Sequence, residues 1–474
     1  MFHFGTGGWR DIIGDGFTRA NINLLAQSVA ELMKKEQADR IVIGFDRRFL
    51  SGQGAKWASE VFAGNGIHVL FIPKNVPTPL VMFAVREFKT KYGMAVTASH
   101  NPAEYNGIKV FTEGGRDAAE EVTNRIEEVG KTNPKIKRID FDEAVEQGLV
   151  EISDPSNQYI DSILSMIDIP VIRNRGLKIL LDPMFGVSKT CLQTILLTAR
   201  CEVDIINDRH DTLFGGRLPS PSAQTLSRLS NMVVEQGYDI GIGTDGDADR
   251  IGIIDKRGNF IHPNQILMLL YYYLVRIKGW RGDVVRNIAT THLLDRMAKD
   301  FGTTCHEVPV GFKHISAKME EYDALVGGES SGGLTIRGSI KGKDGILAAS
   351  LLVEMICATG KDLSELLDEI YEKYGFAYMT EKSIQLTGEL KQALQHLLFE
   401  EKKVPQFADA VEKISYLDGL KVYFQNGGWI IVRFSGTEPV VRIFCEMESR
   451  KKAEQIEGEM IDFLGISGYN EPVI

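Results

Sequence analysis

Three aspartates, Asp245, Asp247 and Asp249, form the densest acidic cluster of the sequence. Alternate side chains of an extended loop point to one side, so these carboxylates are expected to converge. Three like charges at this spacing repel each other unless a cation lies among them. Their hard oxygen atoms select magnesium or calcium over zinc, which makes the loop a candidate metal site. A calcium-binding EF-hand is excluded, because Arg250 and Lys256 stand where its loop needs glycine and glutamate.

A second candidate is the hydroxyl nucleophile Ser99, in the segment Thr97-Ala-Ser-His-Asn-Pro102. His100 is adjacent, and Lys109 follows along the chain. A lysine or histidine could move a proton, or a cation could stabilise an anion on Ser99. The segment alone is equally compatible with a plain Ser-His-Asn-Pro turn, so at this point both interpretations stay open.

Two further loops carry groups that suit phosphate and sugar. The loop Arg433–Pro439, with Arg442 beyond it, offers guanidinium groups, hydroxyls and backbone N–H groups for a phosphate. The loop Gly328–Gly333 offers Glu329 as an acceptor and Ser331 as a donor or acceptor for neighbouring sugar hydroxyls. The competing interpretations are a hairpin with surface arginines for the first loop and a flexible glycine turn for the second.

Two short motifs match known sites but lack the required context. Gly241–Gly246 fits the dinucleotide-binding pattern G-x-G-x-x-G, yet the acidic cluster and another apolar strand follow where a helix should begin. Gly328–Gly332 fits the hydrolase pattern G-x-S-x-G, whose triad needs a histidine downstream. The later histidine, His396, lies inside a helical pattern. Neither motif is therefore taken as functional.

The elements that must position these loops follow an α/β pattern. Short apolar runs alternate with longer amphipathic stretches such as Gln53–Asn65, which predicts mixed, largely parallel sheets with crossover helices. The runs that define strands include Arg40–Gly44, Tyr92–Val96 and Lys178–Asp182. In open α/β sheets, ligands bind at the carboxyl ends of the strands. Lys373–Lys382 is predicted to separate a final segment, which has a helix at Glu389–Glu401 and strands near Leu420 and Trp429.

The composition excludes several classes of protein. The chain has 474 residues, enough for three or four domains, and its 43% apolar and 25% charged residues are typical of a globular protein. A net charge of −10 argues against a general nucleic-acid binder. The five cysteines lack a C-x-x-C pair, which indicates free thiols. The N-terminus shows no signal peptide and the longest apolar run, Ile266–Val275, is too short to span a bilayer, which predicts a cytoplasmic protein without membrane contact.

The four loops in this order resemble the α-D-phosphohexomutase family, whose members interconvert hexose 1-phosphates and hexose 6-phosphates. The resemblance runs from Phe4 to Glu446. It implies three similar α/β domains with mixed sheets plus a smaller C-terminal α+β domain around a central active-site cleft. The implied domains are residues 1–150 with the phosphoserine loop, 151–256 with the metal loop, 257–372 with the sugar-binding loop and 373–474 with the phosphate-binding loop.

The resemblance also implies a role for each candidate residue. The opening segment Gly5–Arg10 and the segment Gly44–Arg48 match further family signatures, which bring Arg10, and as an open second candidate Arg48, near the active site. The implied catalytic residues are Ser99, Lys109, Arg10, His100 and Lys343. The implied Mg²⁺ ligands are Asp245, Asp247, Asp249 and the phosphorylated Ser99. The implied substrate-binding residues are Glu329, Ser331, Lys313, Arg433, Ser435, Gly436, Thr437 and Arg442. For His100, a structural role that orients the Ser99 loop stays equally open.

Departures from the family pattern bear on the sugar. Members that use mannose and glucose phosphates often carry a histidine where this chain has Gly333, so a histidine base is missing there. Lys343 resembles the lysine of the glucose-specific branch and is the candidate for the second proton transfer. The motif also differs from the Glu-Gln-Ser-Gly-His form of glucosamine phosphate mutases. Glucose phosphate is therefore the first expectation, and mannose phosphate or dual specificity the second.

The expected enzyme is an intramolecular phosphotransferase that needs Mg²⁺ and a hexose 1,6-bisphosphate activator and acts on a phosphorylated hexose. It is expected to be a monomer or homodimer. Two other classes remain as alternatives. A metal-dependent sugar phosphatase would use Ser99 as a hydrolytic nucleophile and release phosphate. A sugar-phosphate binding protein without activity would have no use for three aspartates beside a nucleophilic serine.

Overall fold

The computed structural model describes residues 2–5, 7–435 and 439–469. In this part of the chain, no helix is both long and apolar enough to cross a membrane. The described residues divide into two compact units. Unit 1 comprises Met1–Gly282 and Gly311–Glu365, and unit 2 comprises Asp283–Val310 and Leu366–Ile474.

The first stretch of unit 1 builds a mixed sheet of eight strands. Its elements are β1 (Phe4–Gly5), β2 (Gly8–Ile12), α1 (Arg19–Lys35), β3 (Arg40–Phe45), α2 (Ser51–Gly64), β4 (His68–Asn75), α3 (Thr78–Glu87), β5 (Tyr92–Val96), β6 (Tyr105–Thr112), β7 (Arg116–Asp117), α4 (Glu120–Lys131), α5 (Phe141–Glu146) and β8 (Val150–Ile152). The strand order is β1-β2-β6-β5-β3-β4-β8, with β7 paired to β6. Strands β3, β4, β5 and β8 are parallel, whereas β6 is antiparallel to β5. The central strands are buried on both faces, which explains their continuous apolar sequence.

The next stretch builds a second mixed sheet, of five strands. Its elements are α6 (Ser156–Leu164), α7 (Ile169–Arg175), β9 (Lys178–Asp182), α8 (Lys189–Thr198), β10 (Glu202–Ile205), a 3₁₀ turn (Phe214–Gly216), α9 (Ser227–Gln236), β11 (Ile240–Thr244), β12 (Ile251–Asp255) and β13 (Phe260–Ile261). The strand order is β10-β9-β11-β12-β13. Strands β10, β9 and β11 are parallel, and β11 and β12 form an antiparallel hairpin. The acidic cluster is therefore the tip of that hairpin.

The third stretch contributes to both units. Its elements are α10 (Pro263–Tyr272), a π-helical turn (Tyr273–Ile277), β14 (Val284–Asn287), α11 (Leu293–Phe301), β15 (Cys305–Val308), α12 (Phe312–Tyr322), β16 (Val326–Gly328), β17 (Leu334–Ile336), α13 (Gly345–Thr359) and α14 (Leu363–Tyr374). In unit 2, β14 and β15 pair in parallel. In unit 1, β16 and β17 pair antiparallel, and the loop between them carries the predicted sugar-binding residues.

The last stretch of unit 2 is an antiparallel sheet with helices. Its elements are β18 (Tyr378–Gln385), α15 (Gly388–Gln395), a π-helical turn (His396–Glu400), β19 (Val411–Ser415), β20 (Leu420–Phe424), β21 (Trp429–Phe434), β22 (Val440–Met447) and α16 (Arg450–Leu464). The strand order is β18-β22-β21-β20-β19. Apolar residues of this sheet pack with α16 into a separate core, for example Ile443 against Ile456 and Met460.

The structure follows the sequence-based expectations closely, with two differences. The strands expected at Arg40–Gly44, Tyr92–Val96 and Lys178–Asp182 are β3, β5 and β9. The expected separator Lys373–Lys382 contains the start of β18, because Tyr378 pairs with Met447 on β22. The helix expected at Glu389–Glu401 divides into α15 and the π-helical turn that follows it.

A buried ionic cluster ties the two segments of unit 2 together. Glu307 on β15 accepts hydrogen bonds from Lys421 at 2.8 Å and from Arg286 at 2.6 Å. The Lys421 ammonium also donates to the backbone carbonyl of Ile288 at 2.6 Å. Lys421 and Arg286 are almost fully buried, so neither cation can regain water if the carboxylate is removed. Breaking one partner of such a cluster costs much more than an exposed ion pair does.

We expect Glu307→Gln to lower the free energy of unfolding by about 3 kcal/mol, because the buried Lys421 then loses its carboxylate partner and Arg286 keeps only Asp295. Chemical denaturation followed by circular dichroism measures this change. Glu412→Gln, which removes an exposed carboxylate from β19 of the same unit, is the matched control. Equal stability of both variants would show that the cluster does not hold these segments together.

Candidate active site

The Ser99 loop begins where β5 ends and is held in an unusual conformation. Ser99 has φ = 53°, in the left-handed region that costs a residue other than glycine about 1–3 kcal/mol. The Ser99 backbone N–H donates to Thr97 Oγ1 at 2.8 Å. The buried guanidinium of Arg48 donates to the Ser99 carbonyl at 2.8 Å and to the Pro102 carbonyl at 2.7 Å. Arg48 therefore holds the loop through its backbone and leaves the Ser99 hydroxyl free for other partners.

The hydroxyl of Ser99 points at the acidic hairpin tip between β11 and β12. Ser99 Oγ donates to Asp245 Oδ2 at 2.9 Å. Asp245, Asp247 and Asp249 are all buried, and one carboxylate oxygen of each lies within 4.8 Å of the others. The two loops touch at Gly246, where an added Cβ would lie 2.6 Å from the Ser99 carbonyl oxygen. Only glycine allows this close approach, so the predicted convergence of nucleophile and carboxylates is realised.

Two lysines from other parts of the chain compensate part of the acidic charge. Lys109 on β6 lies 2.7 Å from Asp247 Oδ2 and 2.7 Å from Asp249 Oδ2. Lys343, which precedes α13, lies 3.0 Å from Asp249 Oδ2. Burial alone would lower the pKa of Lys109, but the two carboxylates outweigh it and raise that pKa, so the ammonium stays charged. Asp249 in turn has a pKa well below its usual range, because the nearby cations outweigh its burial.

The balance of charge differs at Asp245, where the positive charge of Arg250 is outweighed. Burial raises its pKa well above the usual range, and repulsion from Asp247 and Asp249 raises it further. In addition, Asp247 Oδ1 and Asp249 Oδ1 are buried without a hydrogen-bond partner in the described part of the chain. Buried carboxylate oxygens are normally satisfied, so these atoms indicate a missing ligand. An oxygen-only set of this kind fits a hard divalent cation such as Mg²⁺.

Arg10 and His100 also contact the Ser99 loop. Arg10 Nη1 donates to Asn101 Oδ1 at 2.6 Å. His100 Nδ1 lies 3.4 Å from Ser99 Oγ. Burial first, and then the positive charges of Arg250 and Arg10, lower the pKa of His100 well below its usual value. This shift favours the neutral imidazole, whose Nδ1 lies close to the Ser99 hydroxyl.

The predicted sugar loop adjoins the metal loop. The backbones of Gly333 and Arg250 form a bridge, and Glu329 is largely buried whereas Ser331 is exposed. A Cβ added to Gly333 would lie 2.2 Å from Lys343 Cδ. The stem of Lys343 therefore fills the space that a side chain at position 333 would need.

Lys313 at the start of α12 also belongs to this region. Its ammonium lies 2.9 Å from Glu120 Oε2. Together with Lys109 and Asp117, Lys313 lines a small pocket of about 30 Å³. The structure thus brings Lys313 to the same pocket as Lys109.

The predicted phosphate loop is part of unit 2. Arg433 and Arg442 lie directly opposite each other on β21 and β22, so two guanidinium groups share one face of the sheet. Arg433 also pairs with Asp418 at 2.8 Å. Ser435 follows β21, and its backbone N–H donates to the Val440 carbonyl at 2.9 Å. Gly436 and Thr437 lie outside the described residues.

Several site residues were not found by sequence reasoning. Thr78, at the start of α3, donates its hydroxyl to Asp247 Oδ2 at 2.6 Å. The buried Asp46 accepts from the Thr97 hydroxyl at 2.6 Å and so supports the Ser99 loop. Asp46 lies in the segment Gly44–Arg48 that resembles a family signature, but no role was inferred for it, and Thr78 contacts a residue far away in the sequence. The sequence left a place for Arg48 near the site open. In the structure, Arg48 contacts the Ser99 loop by donating hydrogen bonds to its backbone carbonyls.

We expect Mg²⁺ to raise the midpoint of thermal unfolding, because it binds the folded carboxylates and not the unfolded chain. At about 100 times its dissociation constant, the ion should stabilise the fold by about 2.7 kcal/mol. Asp247→Asn should abolish this gain, whereas Asp15→Asn, on an exposed residue of the same unit, should preserve it. Differential scanning fluorimetry with and without Mg²⁺ measures both, and an unchanged gain in Asp247→Asn would exclude a metal site here.

Family models of phosphoglucomutase/phosphomannomutase match most of the chain. The alpha/beta/alpha domains I, II and III match residues 1–137, 157–258 and 262–374, and the C-terminal domain matches residues 396–463. These matches confirm the expected fold class of three α/β domains and a C-terminal domain.

Relatives and solved structures agree with these models. A phosphoglucomutase/phosphomannomutase of Thermococcus kodakarensis is 32% identical over 95% of this chain and 96% of its own. A protein of Methanobrevibacter smithii assigned as a phosphoglucosamine mutase is 30% identical over 96% of both chains. A crystal structure from Thermus thermophilus, named among the phosphomannomutases, superposes with a TM-score of 0.84 at 29% identity over 98% of this chain and 99% of its own. The chain therefore belongs to the phosphoglucomutase/phosphomannomutase family and is an intramolecular phosphotransferase.

Proposed function

We propose that this phosphohexomutase interconverts hexose 1-phosphate and hexose 6-phosphate through a phosphoserine at Ser99 and a hexose 1,6-bisphosphate. Glucose phosphate is the proposed first substrate, and mannose phosphate the second. The observation that carries the proposal is the 2.9 Å contact between Ser99 Oγ and Asp245, beside two further buried carboxylates and two lysines. A hydroxyl in this setting is suited to carry a phosphoryl group rather than to fill a core.

The proposed reaction consists of two opposite phosphoryl transfers. In the first, the bond between phosphorus and Ser99 Oγ breaks, and a bond forms to the free hydroxyl oxygen of the sugar phosphate. In the second, the other phosphate of the bisphosphate returns to Ser99. Lys109 lies beside the carboxylates and stabilises negative charge on the transferring oxygens. Mg²⁺ held by Asp245, Asp247 and Asp249 would supply further charge neutralisation there.

Each transfer also moves a proton, from the attacking sugar hydroxyl in one direction and back in the other. Two groups are candidates for this role. Lys343 reaches Asp249 and occupies the space beside Gly333, where other family members often carry a histidine. The pKa of His100 is lowered well below its usual value, so its ring is a weak base near Ser99 Oγ. We assign the second proton transfer to Lys343 and a supporting role near the nucleophile to His100.

The remaining residues are proposed to bind the substrate. Arg10 would contribute positive charge close to the Ser99 loop. Glu329 and Ser331 would bind sugar hydroxyls, with Lys313 as a further contact. The phosphate that does not react would be bound by Arg433, Ser435, Gly436, Thr437 and Arg442. The paired guanidinium groups of β21 and β22 support this assignment, because like charges placed directly opposite each other favour an anion between them.

The sugar preference rests on position 333. Lys343 fills the space next to Gly333, which supports the glucose-specific assignment over a pattern with histidine at this position. Relatives assigned as phosphoglucosamine mutases are also about as similar to this chain, so an aminosugar phosphate belongs in the test.

Phosphorus NMR with Mg²⁺ and a trace of glucose 1,6-bisphosphate tests the proposal directly. Glucose 1-phosphate, mannose 1-phosphate and glucosamine 1-phosphate are supplied in separate samples. We expect conversion to the 6-phosphate without free phosphate, fastest for glucose. Accumulation of inorganic phosphate would instead identify a phosphatase, and faster conversion of glucosamine 1-phosphate would overturn the sugar assignment.

We expect Ser99→Ala to lower the rate of conversion at least about a thousandfold, because the group that carries the phosphoryl is lost. Ser165→Ala, at an exposed helix end of the same unit, is the matched control and should keep its rate. The same phosphorus NMR assay measures both variants. Full activity of Ser99→Ala would contradict the phosphoserine mechanism.

We expect Lys343→Met to lower kcat by about a hundredfold, because the proposed proton carrier beside the sugar is removed while the apolar stem is kept. Lys341→Met is the control in the same loop, since that lysine pairs with Glu320 on α12 and not with the metal loop. Initial rates across substrate concentrations measure kcat and KM separately. A change in KM alone would limit Lys343 to substrate binding.

A further inference from the structure

A carboxylate not assigned above, Asp117, lies on the metal-loop face of the first sheet. Strand β7 pairs with the end of β6, where Asp117 stands directly opposite Phe111. Directly opposed residues of an antiparallel pair point to the same face, as do residues two apart along a strand. Asp117, Phe111 and Lys109 therefore share one face, and Lys109 on this face reaches Asp247 and Asp249.

Asp117 also lines the small pocket between Lys109 and Lys313. The pocket has a volume of about 30 Å³ and is otherwise walled mainly by small residues, including Gly5, Gly7 and Gly8. This volume suits one water molecule or one polar group of a ligand, and not a whole sugar ring. The pocket is thus built for a single protruding group.

The carboxylate of Asp117 can accept a hydrogen bond from a ligand. It is partly buried, and none of the described residues donates a hydrogen bond to it. Partly buried carboxylates are normally hydrogen-bonded, so this one has capacity to accept. Burial raises the pKa of Asp117. The positive charges of Lys343 and Lys109 lower that pKa, whereas the negative charges of Asp249 and Glu329 raise it further. Asp117 is therefore within electrostatic reach of Glu329, the proposed sugar-binding carboxylate.

We propose that Asp117 is a specificity-determining residue that accepts a hydrogen bond from a hydroxyl of the bound hexose phosphate. This inference rests on the proposed function and adds a second acceptor to Glu329. A sugar ammonium group would fit the acceptor as well, but it would come close to the positive charges of Lys109, Lys313 and Lys343. These like charges favour a neutral hydroxyl as the group that enters the pocket.

The test is a cycle that combines Asp117→Ala with deoxy substrates. kcat/KM is measured for glucose 1-phosphate, for its 2-deoxy, 3-deoxy and 4-deoxy analogues, and for glucosamine 1-phosphate. The wild-type enzyme should lose roughly 10- to 100-fold on the analogue that lacks the contacted hydroxyl, as expected for a hydrogen bond to a charged group. With glucose 1-phosphate, Asp117→Ala should lower kcat/KM by a similar factor. With the analogue that lacks the contacted hydroxyl, Asp117→Ala and the wild-type enzyme should have the same kcat/KM.

A merely structural role for Asp117 would give the same loss on every substrate, and such uniform losses would overturn the proposal. A loss confined to glucosamine 1-phosphate would overturn the choice of a hydroxyl. Glu113→Gln, on an exposed residue of the turn between β6 and β7, is the matched control. If Asp117→Ala does not fold, Asp117→Asn serves in the same cycle.

The two proposals fail in distinguishable ways. If the wild-type enzyme converts none of the hexose 1-phosphates, the proposed function is wrong and the inference falls with it. If the wild-type enzyme is active and Asp117→Ala has the same effect on kcat/KM for glucose 1-phosphate and for every deoxy analogue, only the inference is wrong.

Discussion

The repulsion among Asp245, Asp247 and Asp249 is the constraint on which the rest of this site depends. Three buried carboxylates at the tip of one hairpin are unfavourable unless cations surround them. Lys109 on β6 and Lys343 just before α13 supply part of the countercharge. Asp245 instead accepts a hydrogen bond from the hydroxyl of Ser99. The negative charge that remains fits a divalent cation, whose charge would also offset that of a phosphoryl group on Ser99 in the proposed mechanism.

The fold makes this concentration of charge possible by bringing strand ends together. The Ser99 loop leaves the carboxyl end of β5, and the acidic tip leaves that of β11, each from a sheet with its own apolar core. Arg48 fixes the Ser99 loop through its carbonyl groups, so the strained backbone at Ser99 is held without using the hydroxyl. The absence of a side chain at Gly246 then lets the two loops meet.

Much of this arrangement could be predicted from the sequence, because the strands are continuous apolar runs and the loops carry compact motifs. The carboxylates, Ser99 and Lys109 were all identified in this way. The contact of Thr78 with Asp247 and the placement of Asp117 opposite Phe111 could not be found, since the first depends on packing between residues far apart in sequence and the second on strand register. The packing of the Lys343 side chain against Gly333 could not be predicted either, because a sequence motif does not give the distance between the two residues.

Peptide-resolved mass spectrometry of the phosphorylated protein tests the central claim most directly. The protein is incubated with Mg²⁺ and glucose 1,6-bisphosphate, and then briefly with excess glucose 1-phosphate. The charge arrangement described above predicts one phosphate, on the peptide that contains Ser99, which is lost to the sugar in the second step and not to water. A phosphate on another residue, or a phosphate on Ser99 that is released only as inorganic phosphate, would contradict it.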